Sequence, residues 1–287
     1  MPPSRGIRLI AIDIDGTLLD SRGTLPESNR AAVRDALAAG IHVALVTGRS
    51  FHAARPVGEA LSTEIPLIVS NGALIKRADG QTLDSRVLDP ELVRDIIGLV
   101  RKRRPGAALI FDRPGADQYM YEGIDWQHRN RRGYYAINKI FMTEQSPLED
   151  ALTESPIQLA FTGGILAMRE LAEFLRRQPV TRQVTLTLTE YEERDFTLLD
   201  ITALGCSKGS TLEDWASTLE IDRSEVMAIG DNLNDREMLA FAGHPVVMGN
   251  AVSELKNEGW PVTASHDDGG LADALRKAIE GPVDSED

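Results

Sequence analysis

The fold is decided by the stretch Leu9-Ile10-Ala11-Ile12-Asp13-Ile14-Asp15-Gly16-Thr17, in which a short apolar run passes directly into two carboxylates and a glycine turn. The apolar run predicts a buried strand. Asp13 and Asp15 then follow its carboxyl end, where their mutual repulsion and loss of water raise the free energy of the fold unless a cation compensates. Taken alone, the pattern also fits an Asx turn or a helix cap, since Asp-Gly pairs are common in turns.

Short apolar strands alternate with amphipathic helices along much of the chain. Residues 27–39 predict a helix that ends before Gly40, and residues 41–46 and 67–70 predict two further buried strands. The alternation returns late in the chain, with helices predicted at 210–219 and 235–242 and strands at 226–229 and 246–248. Such alternation predicts a parallel sheet with helices on both faces.

The middle of the chain has a different pattern. Alternating runs at 118–121, 158–161 and 184–189 predict half-exposed antiparallel strands, and segments near 90–101 and 166–177 predict two covering helices. Residues 82–190 contain 15 basic and 15 acidic side chains, so the rest of the chain carries the whole net charge of −13. We therefore predict an α/β fold, with a Rossmann-like parallel-sheet core from residues 1–81 and 190–287 and an inserted α+β cap at residues 82–189.

Composition limits the classes of function. The 287 residues are 42% hydrophobic and 26% charged, as in ordinary globular proteins. The negative net charge argues against nucleic acid as a partner, since phosphate backbones are held by clustered Lys and Arg. No apolar run approaches the roughly 20 residues that cross a bilayer, and no signal-peptide pattern follows Met1. The single cysteine, Cys206, excludes an intrachain disulfide. We expect a cytoplasmic protein that does not bind membranes, and the sequence leaves its oligomeric state open.

Polar residues follow four of the predicted strands. They are Asp13 to Thr17, Thr47-Gly48-Arg49, Ser70-Asn71-Gly72 and Gly230-Asp231-Asn232-Leu233-Asn234-Asp235. Because ligands of open parallel sheets bind beyond the carboxyl ends of the strands, we expect these residues to lie together. Their carboxylates suit Mg²⁺ whose coordination is completed by a substrate phosphate. None of the five histidines has metal-ligand spacing, which disfavours a zinc site.

One basic cluster in the predicted cap lies among aromatic residues. Its members are candidates for contact with an anionic or ring-bearing substrate, with a plain surface role as the alternative. These candidates are Arg129, Arg131, Arg132, Tyr134 and Tyr135.

The chain resembles the haloacid dehalogenase superfamily of phosphatases, in the Cof-type branch that has a large α/β cap. The resemblance covers nearly the whole chain and rests on five motifs in order, with the cap between the third and the fourth. They are the Asp13/Asp15 pair, Thr47-Gly48-Arg49, Ser70-Asn71-Gly72-Ala73, Ser207-Lys208-Gly209 and Gly230-Asp231-Asn232-Leu233-Asn234-Asp235.

The resemblance implies a role for each matched residue. Asp13 would be the nucleophile that forms an aspartyl-phosphate, and Asp15 would be the general acid and base. Mg²⁺ would be held by Asp13, the backbone carbonyl of Asp15 and Asp231, with Asp235 close behind. Phosphate or substrate contacts would come from Thr47, Gly48, Asn71, Lys208 and Asn234. Residues 18–24 resemble the short hairpin flap that follows the first motif in this family.

The implied activity is Mg²⁺-dependent hydrolysis of small phosphorylated metabolites, such as sugar phosphates, because a closing cap excludes macromolecules. Two alternatives stay open. A phosphomutase or phosphotransferase would also retain both Asp13 and Asp15, so the first motif does not exclude one. A phosphate-binding regulatory protein with little turnover is the other, although a complete set of Asp13, Asp15, Lys208 and Asp231 argues against it.

Overall fold

The structure is a computed structural model that describes residues 6–103, 106–191 and 195–280. The strands in these ranges are β1 (Leu9–Asp13), β2 (His42–Val46), β3 (Pro66–Val69), β4 (Leu74–Arg77), β5 (Thr82–Ser85), β6 (Gly106–Ile110), β7 (Tyr119–Glu122), β8 (Met142–Glu144), β9 (Gln158–Gly163), β10 (Val184–Tyr191), β11 (Phe196–Ala203), β12 (Val226–Gly230) and β13 (His244–Val247). The α-helices are α1 (Glu27–Ala38), α2 (Phe51–Leu61), α3 (Pro90–Val100), α4 (Arg132–Asn138), α5 (Ile165–Arg176), α6 (Lys208–Thr218), α7 (Arg236–Phe241), α8 (Ser253–Lys256) and α9 (Gly270–Glu280).

The described residues divide into two compact units. The first comprises residues 6–48, 54–81 and 207–280, and the second comprises residues 49–53 and the described part of 82–206. The second unit thus starts where the predicted cap starts but continues past residue 189, because β10 pairs along its whole length with β11 in an antiparallel ladder. It also takes in the first residues of α2, which lie outside the predicted cap.

The first unit is built on a sheet with the strand order β13-β12-β1-β2-β3-β4. The pairs from β13 to β3 are parallel, and β4 runs antiparallel to β3. Every residue of β1 and of β12 is buried, so both faces of the sheet centre are covered, since successive side chains point to opposite faces. The predicted α/β fold with a parallel-rich core sheet is confirmed.

Two details of this sheet differ from the sequence prediction. Strand β4 was not predicted, because Leu74-Ile75-Lys76-Arg77 neither alternates nor forms an apolar run, and it follows the turn at Ser70–Gly72 after one residue. Strand β13 begins at His244, two residues earlier than predicted, and includes Pro245. It lies at an edge of the sheet, where a proline, which has no N–H to donate, is tolerated.

The second unit has a six-stranded sheet with the order β10-β11-β9-β6-β7-β8. Its pairs are antiparallel except for β7 with β8. Helices α3 and α5 bury apolar side chains in one core with residues such as Leu159, Phe161, Leu199 and Ile201. Strand β9 was predicted to be half-exposed, but its first five residues are all buried, because it lies in the interior of the sheet between β11 and β6.

The loop after β1 is a turn without strands. Within residues 18–24 the structure has no strand pairing, so the predicted hairpin flap is wrong in its secondary structure. The Asp20 N–H donates to the Thr24 carbonyl at 2.9 Å, and the Gly23 N–H donates to the Asp20 carbonyl at 2.8 Å. The Asp20 carboxylate accepts further backbone N–H groups of the same turn, which keeps the chain compact over these residues.

Candidate active site

Asp13 is the last residue of β1 and is 4% exposed. The chain reverses immediately after it through Gly16, which has a φ of +83°. Glycine is needed there for two reasons, since this φ is unfavourable for other residues and a Cβ at Gly16 would collide with the carboxylate of Asp231. The buried Thr17 hydroxyl donates to Oδ1 of Asp231 at 3.3 Å. The turn after β1 therefore lies directly against the loop after β12.

Asp235 holds the loop after β12. Its carboxylate is fully buried, and Oδ2 accepts the backbone N–H groups of Asp231 and Asn232, each at 3.0 Å. A Cβ at Gly230 would lie 2.7 Å from Cγ of Asp235, so glycine at that position leaves the room that this carboxylate needs. Asp235 thus shapes the loop that presents Asp231.

Lys208 enters this acidic group from the first residue of α6. Ser207 caps that helix, with its hydroxyl accepting the Ser210 N–H at 3.1 Å. The Lys208 side chain is buried and its Nζ donates to Oδ1 of Asp13 at 2.6 Å and to Oδ1 of Asp235 at 2.5 Å. Lys208 therefore links the end of β1 to the loop after β12 by donating a hydrogen bond to a carboxylate of each.

The electrostatics of the group are set by burial and by crowding of like charges. Burial raises the pKa of Asp13 well above its ordinary value, repulsion from Asp235 raises it further, and Lys208 opposes both. Burial and then Asp235 raise the pKa of Asp231 to about 8. Burial lowers the pKa of Lys208, but Asp13 and Asp235 more than compensate, and the net shift is upward. The group is short of positive charge.

The donor set fits a hard divalent cation. Asp13, Asp231 and Asp235 each offer a carboxylate oxygen, and these oxygens lie within 4.8 Å of one another. Three carboxylates outweigh the single charge of Lys208, and oxygen donors of this kind are the ligands that Mg²⁺ takes in proteins. Both oxygens of Asp235 already accept hydrogen bonds, from Lys208 and from the loop backbone, so Asp13 and Asp231 are the better placed of the three.

Asp15 differs from Asp13 in its surroundings. Its side chain is exposed, whereas that of Asp13 is buried. Its charge still raises the pKa of both Asp13 and Asp231, which places its carboxylate near them. Two carboxylates two residues apart therefore have different environments.

The predicted phosphate-binding residues other than Lys208 form a second group at the same edge of the sheet. Thr47 follows Val46, which pairs with Asp13 across the parallel strands β1 and β2. The buried Asn71 has a φ of +53°, and its N–H donates to the Thr47 carbonyl at 3.1 Å. Oδ1 of Asn71 accepts a hydrogen bond from Nδ2 of Asn234 at 3.1 Å. The same oxygen lies close to Gly48, where an added Cβ would be 3.1 Å from it. The ends of β2, β3 and β12 therefore meet here.

Two residues that were not predicted from the sequence contact the turn after β1. Nδ2 of Asn250 donates to the Gly16 carbonyl at 2.9 Å, and Nδ1 of His266 lies 3.1 Å from the same oxygen. Asn250 lies three residues after β13, so the rule that selected the other strand ends could also have selected it. His266 begins a short 3₁₀ turn before α9, and no spacing in the sequence marks it.

The candidate specificity residues all belong to the second unit, where aromatic rings pack on one another. The ring of Trp126 stacks on Tyr135 at 5.2 Å and on Tyr134 at 6.3 Å. Arg131 lies 5.6 Å from the centre of the Phe196 ring, whereas Arg129 and Arg132 are exposed. Of the predicted substrate-contact candidates, Tyr134, Tyr135 and Arg131 therefore contact aromatic rings, whereas Arg129 and Arg132 are exposed to solvent.

His52 joins this aromatic cluster from the start of α2. Its ring stacks on Phe141 at 5.0 Å, and its Nε2 lies 3.3 Å from the Tyr134 hydroxyl and 3.2 Å from the Ser50 hydroxyl. Burial lowers the pKa of His52 to about 4, so the ring is neutral near pH 7. His52 was not predicted as a site residue, since a single histidine in a helix has no sequence pattern that indicates a function.

A parallel sheet with charged and amide side chains gathered at its carboxyl edge is the architecture of an α/β enzyme. The model of one family, described as haloacid dehalogenase-like hydrolase, matches residues 10–275. The chain belongs to that family, and its recognition as a haloacid dehalogenase-type phosphatase of the Cof-type branch is confirmed.

Similar proteins agree with this assignment. The chain is 30% identical over 250 residues to the HMP-PP phosphatase of Serratia proteamaculans (strain 568), covering 87% of this chain and 86% of the relative. It is 26% identical over 291 residues to the 5-amino-6-(5-phospho-D-ribitylamino)uracil phosphatase YwtE of Bacillus subtilis (strain 168), covering 96% and 99%.

A solved structure shows the same fold. A haloacid dehalogenase-like hydrolase from B. subtilis superposes with a TM-score of 0.79 at 23% identity, over 94% of this chain and 99% of that one. Within the described residues, none of the helices combines the length and the apolar character needed to span a membrane. The cytoplasmic location expected from the sequence stays a prediction.

Proposed function

We propose that the chain is a Mg²⁺-dependent phosphatase of small phosphorylated metabolites that works through an aspartyl-phosphate on Asp13. The observation that carries the proposal is the buried Asp13 carboxylate, bonded to Lys208, grouped with Asp231 and close to the exposed carboxylate of Asp15. Such an arrangement pairs an enclosed nucleophile with an accessible proton carrier.

The first half-reaction transfers the phosphoryl group to the protein. A carboxylate oxygen of Asp13 attacks phosphorus in line, and the bond from phosphorus to the substrate oxygen breaks. Asp15 gives its proton to the leaving oxygen, which departs as an alcohol. Lys208, which already donates to Oδ1 of Asp13, keeps that carboxylate oriented and offers positive charge to the phosphoryl oxygens.

The second half-reaction returns the protein to its starting state. Asp15, now ionised, takes a proton from a water molecule while the oxygen of that water attacks phosphorus. The bond between phosphorus and Asp13 then breaks and inorganic phosphate is released. Asp15 is protonated again and Asp13 is ionised. The exposure of Asp15 supports this role, because its carboxyl has to reach first the leaving oxygen and then water.

A divalent cation would be held by the Asp13 and Asp231 carboxylates and the backbone carbonyl of Asp15. When bound, it supplies positive charge that offsets the repulsion between an anionic nucleophile and an anionic phosphate. Thr17 and Asp235 hold Asp231 and its loop in position for this contact, through the Thr17 hydroxyl and the bonds from the Asp231 and Asn232 N–H groups. Asp235 is proposed to act mainly through that loop and through Lys208.

Thr47, Gly48, Asn71 and Asn234 are proposed to bind the phosphate. They are supported by the strand pairing of Asp13 with Val46, the residue before Thr47, and by the hydrogen bond between Asn71 and Asn234. The first unit would carry the chemistry, and the second unit would act as the cap that selects the substrate. Both relatives are named as phosphatases of small phosphorylated compounds, which supports a substrate of that class.

The test is phosphate release from p-nitrophenyl phosphate and a panel of sugar phosphates, with Mg²⁺ or with EDTA. Wild type is expected to release phosphate only with Mg²⁺, and Asp13→Asn is expected to be inactive. Activity in EDTA, or full activity in Asp13→Asn, would overturn the mechanism. Transfer of the phosphoryl group to a second sugar in place of water would favour a phosphotransferase, and phosphate binding without turnover would favour a regulatory protein.

A further inference from the structure

The carbonyl oxygen of Gly16 accepts two hydrogen bonds from side chains outside the first motif. Nδ2 of Asn250 lies at 2.9 Å and Nδ1 of His266 at 3.1 Å. A carbonyl oxygen can only accept, so Nδ1 of His266 has to carry its hydrogen. The His266 backbone N–H donates to Oδ1 of Asn250 at 2.9 Å, which turns the Nδ2 end of that amide toward Gly16. Both lone pairs of one carbonyl are thus used.

This carbonyl belongs to the turn that positions Asp15. Gly16 adopts a φ of +83° directly after Asp15, and a Cβ on Gly16 would meet the carboxylate of Asp231. The turn is therefore confined on one side by Asp231 and fixed through its carbonyl oxygen by Asn250 and His266. Asp15 directly precedes Gly16 in the chain, so a shift of the Gly16 backbone carries the exposed Asp15 side chain with it.

The segment that contains His266 and Asp267 also contacts the loop after β1 at a second place, at Ser21. Oδ1 of Asp267 accepts the Ser21 N–H at 2.9 Å, and its Oδ2 lies 3.4 Å from Nε2 of His266. A cavity of about 360 Å³ is lined in part by Ser21, His266 and Asp267. Residues 266 and 267 therefore contact the loop at two points, the Gly16 carbonyl oxygen and the Ser21 N–H.

We propose that His266, together with Asn250, is a positioning residue that sets where Asp15 delivers its proton. The proposal rests on the proposed function, in which Asp15 protonates the leaving oxygen. Loss of the His266 donor frees one lone pair of the Gly16 carbonyl and lets the Asp15–Gly16 turn shift, while Asp13, Lys208 and Asp231 keep their own contacts. Proton delivery should then fail selectively, and attack by Asp13 should not.

Leaving-group dependence separates this role from a structural one. Values of kcat/KM, which report the step up to phosphoryl transfer, are compared for p-nitrophenyl phosphate and for an alkyl phosphate in wild type, His266→Leu and His266→Gln. For His266→Leu we expect the alkyl value to fall about 10-fold or more, since small misplacements of catalytic groups can cost 10²-fold. The aryl value should fall less than about 3-fold, because a good leaving group needs little proton transfer. His266→Gln, whose amide can donate, should recover part of the alkyl activity.

A double-variant comparison adds a second criterion. In an Asp15→Asn background, His266→Leu should change the alkyl kcat/KM by less than about 2-fold, because residues that act through one group are not additive. The matched control is His42→Leu, which makes the same exchange at an exposed position on β2. Thermal melts of each variant report folding, and the ratio of alkyl to aryl activity does not depend on the folded fraction.

The outcomes are distinct for the two proposals. A wild type that releases no phosphate would overturn the proposed function. Two results with an active wild type would overturn the role of His266 and leave the proposed function in place. In one, His266→Leu lowers the alkyl and the aryl kcat/KM by the same factor. In the other, the effects of Asp15→Asn and His266→Leu multiply in the double variant. A selective loss with alkyl phosphates that disappears in Asp15→Asn would establish it.

Discussion

Replacing Lys208 by methionine tests whether the acidic group depends on this one buried charge. Nζ donates to Asp13 at 2.6 Å and to Asp235 at 2.5 Å, and all three side chains are buried. Removing one partner from a buried ion pair costs about 3–5 kcal/mol, because the remaining charge is left uncompensated. At roughly 2–4 °C per kcal/mol for a chain of this size, the melting temperature of Lys208→Met should fall by about 6–20 °C.

The assay is thermal unfolding followed by circular dichroism in EDTA, so that no divalent cation replaces the missing charge. The double variant Lys208→Met/Asp13→Asn removes one of the two carboxylates without changing its shape. It should be more stable than Lys208→Met alone, with a coupling of about 0.5–3 kcal/mol as found for residues in direct contact. Lys256→Met, an exposed exchange on α8, is the matched control and should stay within about 0.5 kcal/mol of wild type.

Two results would refute this reasoning. One is a melting temperature for Lys208→Met equal to that of Lys256→Met, which would mean that the buried lysine adds nothing to the balance of charge. The other is a double variant no more stable than Lys208→Met, which would mean that Asp13 is not the group left uncompensated.

Three further predictions concern single residues. Burial lowers the pKa of His52 to about 4 in the folded protein, whereas a histidine in the unfolded chain has a pKa of about 6.5. Between about pH 6.5 and pH 4 the unfolded chain therefore binds one more proton than the folded protein, and the free energy of unfolding falls as the pH falls. Between pH 7 and pH 5 wild type should lose about 2 kcal/mol more than His52→Phe by urea unfolding, and equal losses would contradict the assignment. Gly16→Ala should abolish most turnover, because the added Cβ would collide with the carboxylate of Asp231. Gly40→Ala is the control, since Gly40 has a similar φ of +81° and a Cβ there would have no atom within 4 Å. It should lose only about 1 kcal/mol of stability and keep its activity. Asp15→Asn should still bind substrate while turnover falls about 10²-fold or more, and unchanged turnover would remove Asp15 from its role.

Much of the candidate site could be predicted from the sequence because of one geometric rule. Parallel strands present their carboxyl ends at a common edge, so polar residues just after buried strands have to converge there. Asp13 ends β1 and Asp231 follows β12, and these two strands are neighbours in the sheet. Thr47 and Asn71 follow β2 and β3. Lys208 follows no strand directly and was selected only by its resemblance to a family motif.

What could not be predicted depends on contacts between distant parts of the chain. His266 reaches Gly16 across 250 residues, and nothing in its local sequence reports that contact. The predicted cap ends at residue 189, whereas the second unit includes β11, whose pairing with β10 is not revealed by local alternation. Local pattern also does not show that residues 49–53, between the Thr47-Gly48 turn and the rest of α2, belong with the second unit.

The central claim is that Asp13 carries the phosphoryl group, and trapping that group tests it most directly. Wild type is mixed with a ³²P-labelled phosphate ester that it hydrolyses, quenched in acid within a turnover, and digested with pepsin at low pH, where an acyl phosphate survives. The account predicts label on a peptide that contains Asp13, lost on treatment with hydroxylamine and absent from Asp13→Asn. Release of phosphate without any labelled peptide, or label on a different carboxylate, would contradict it.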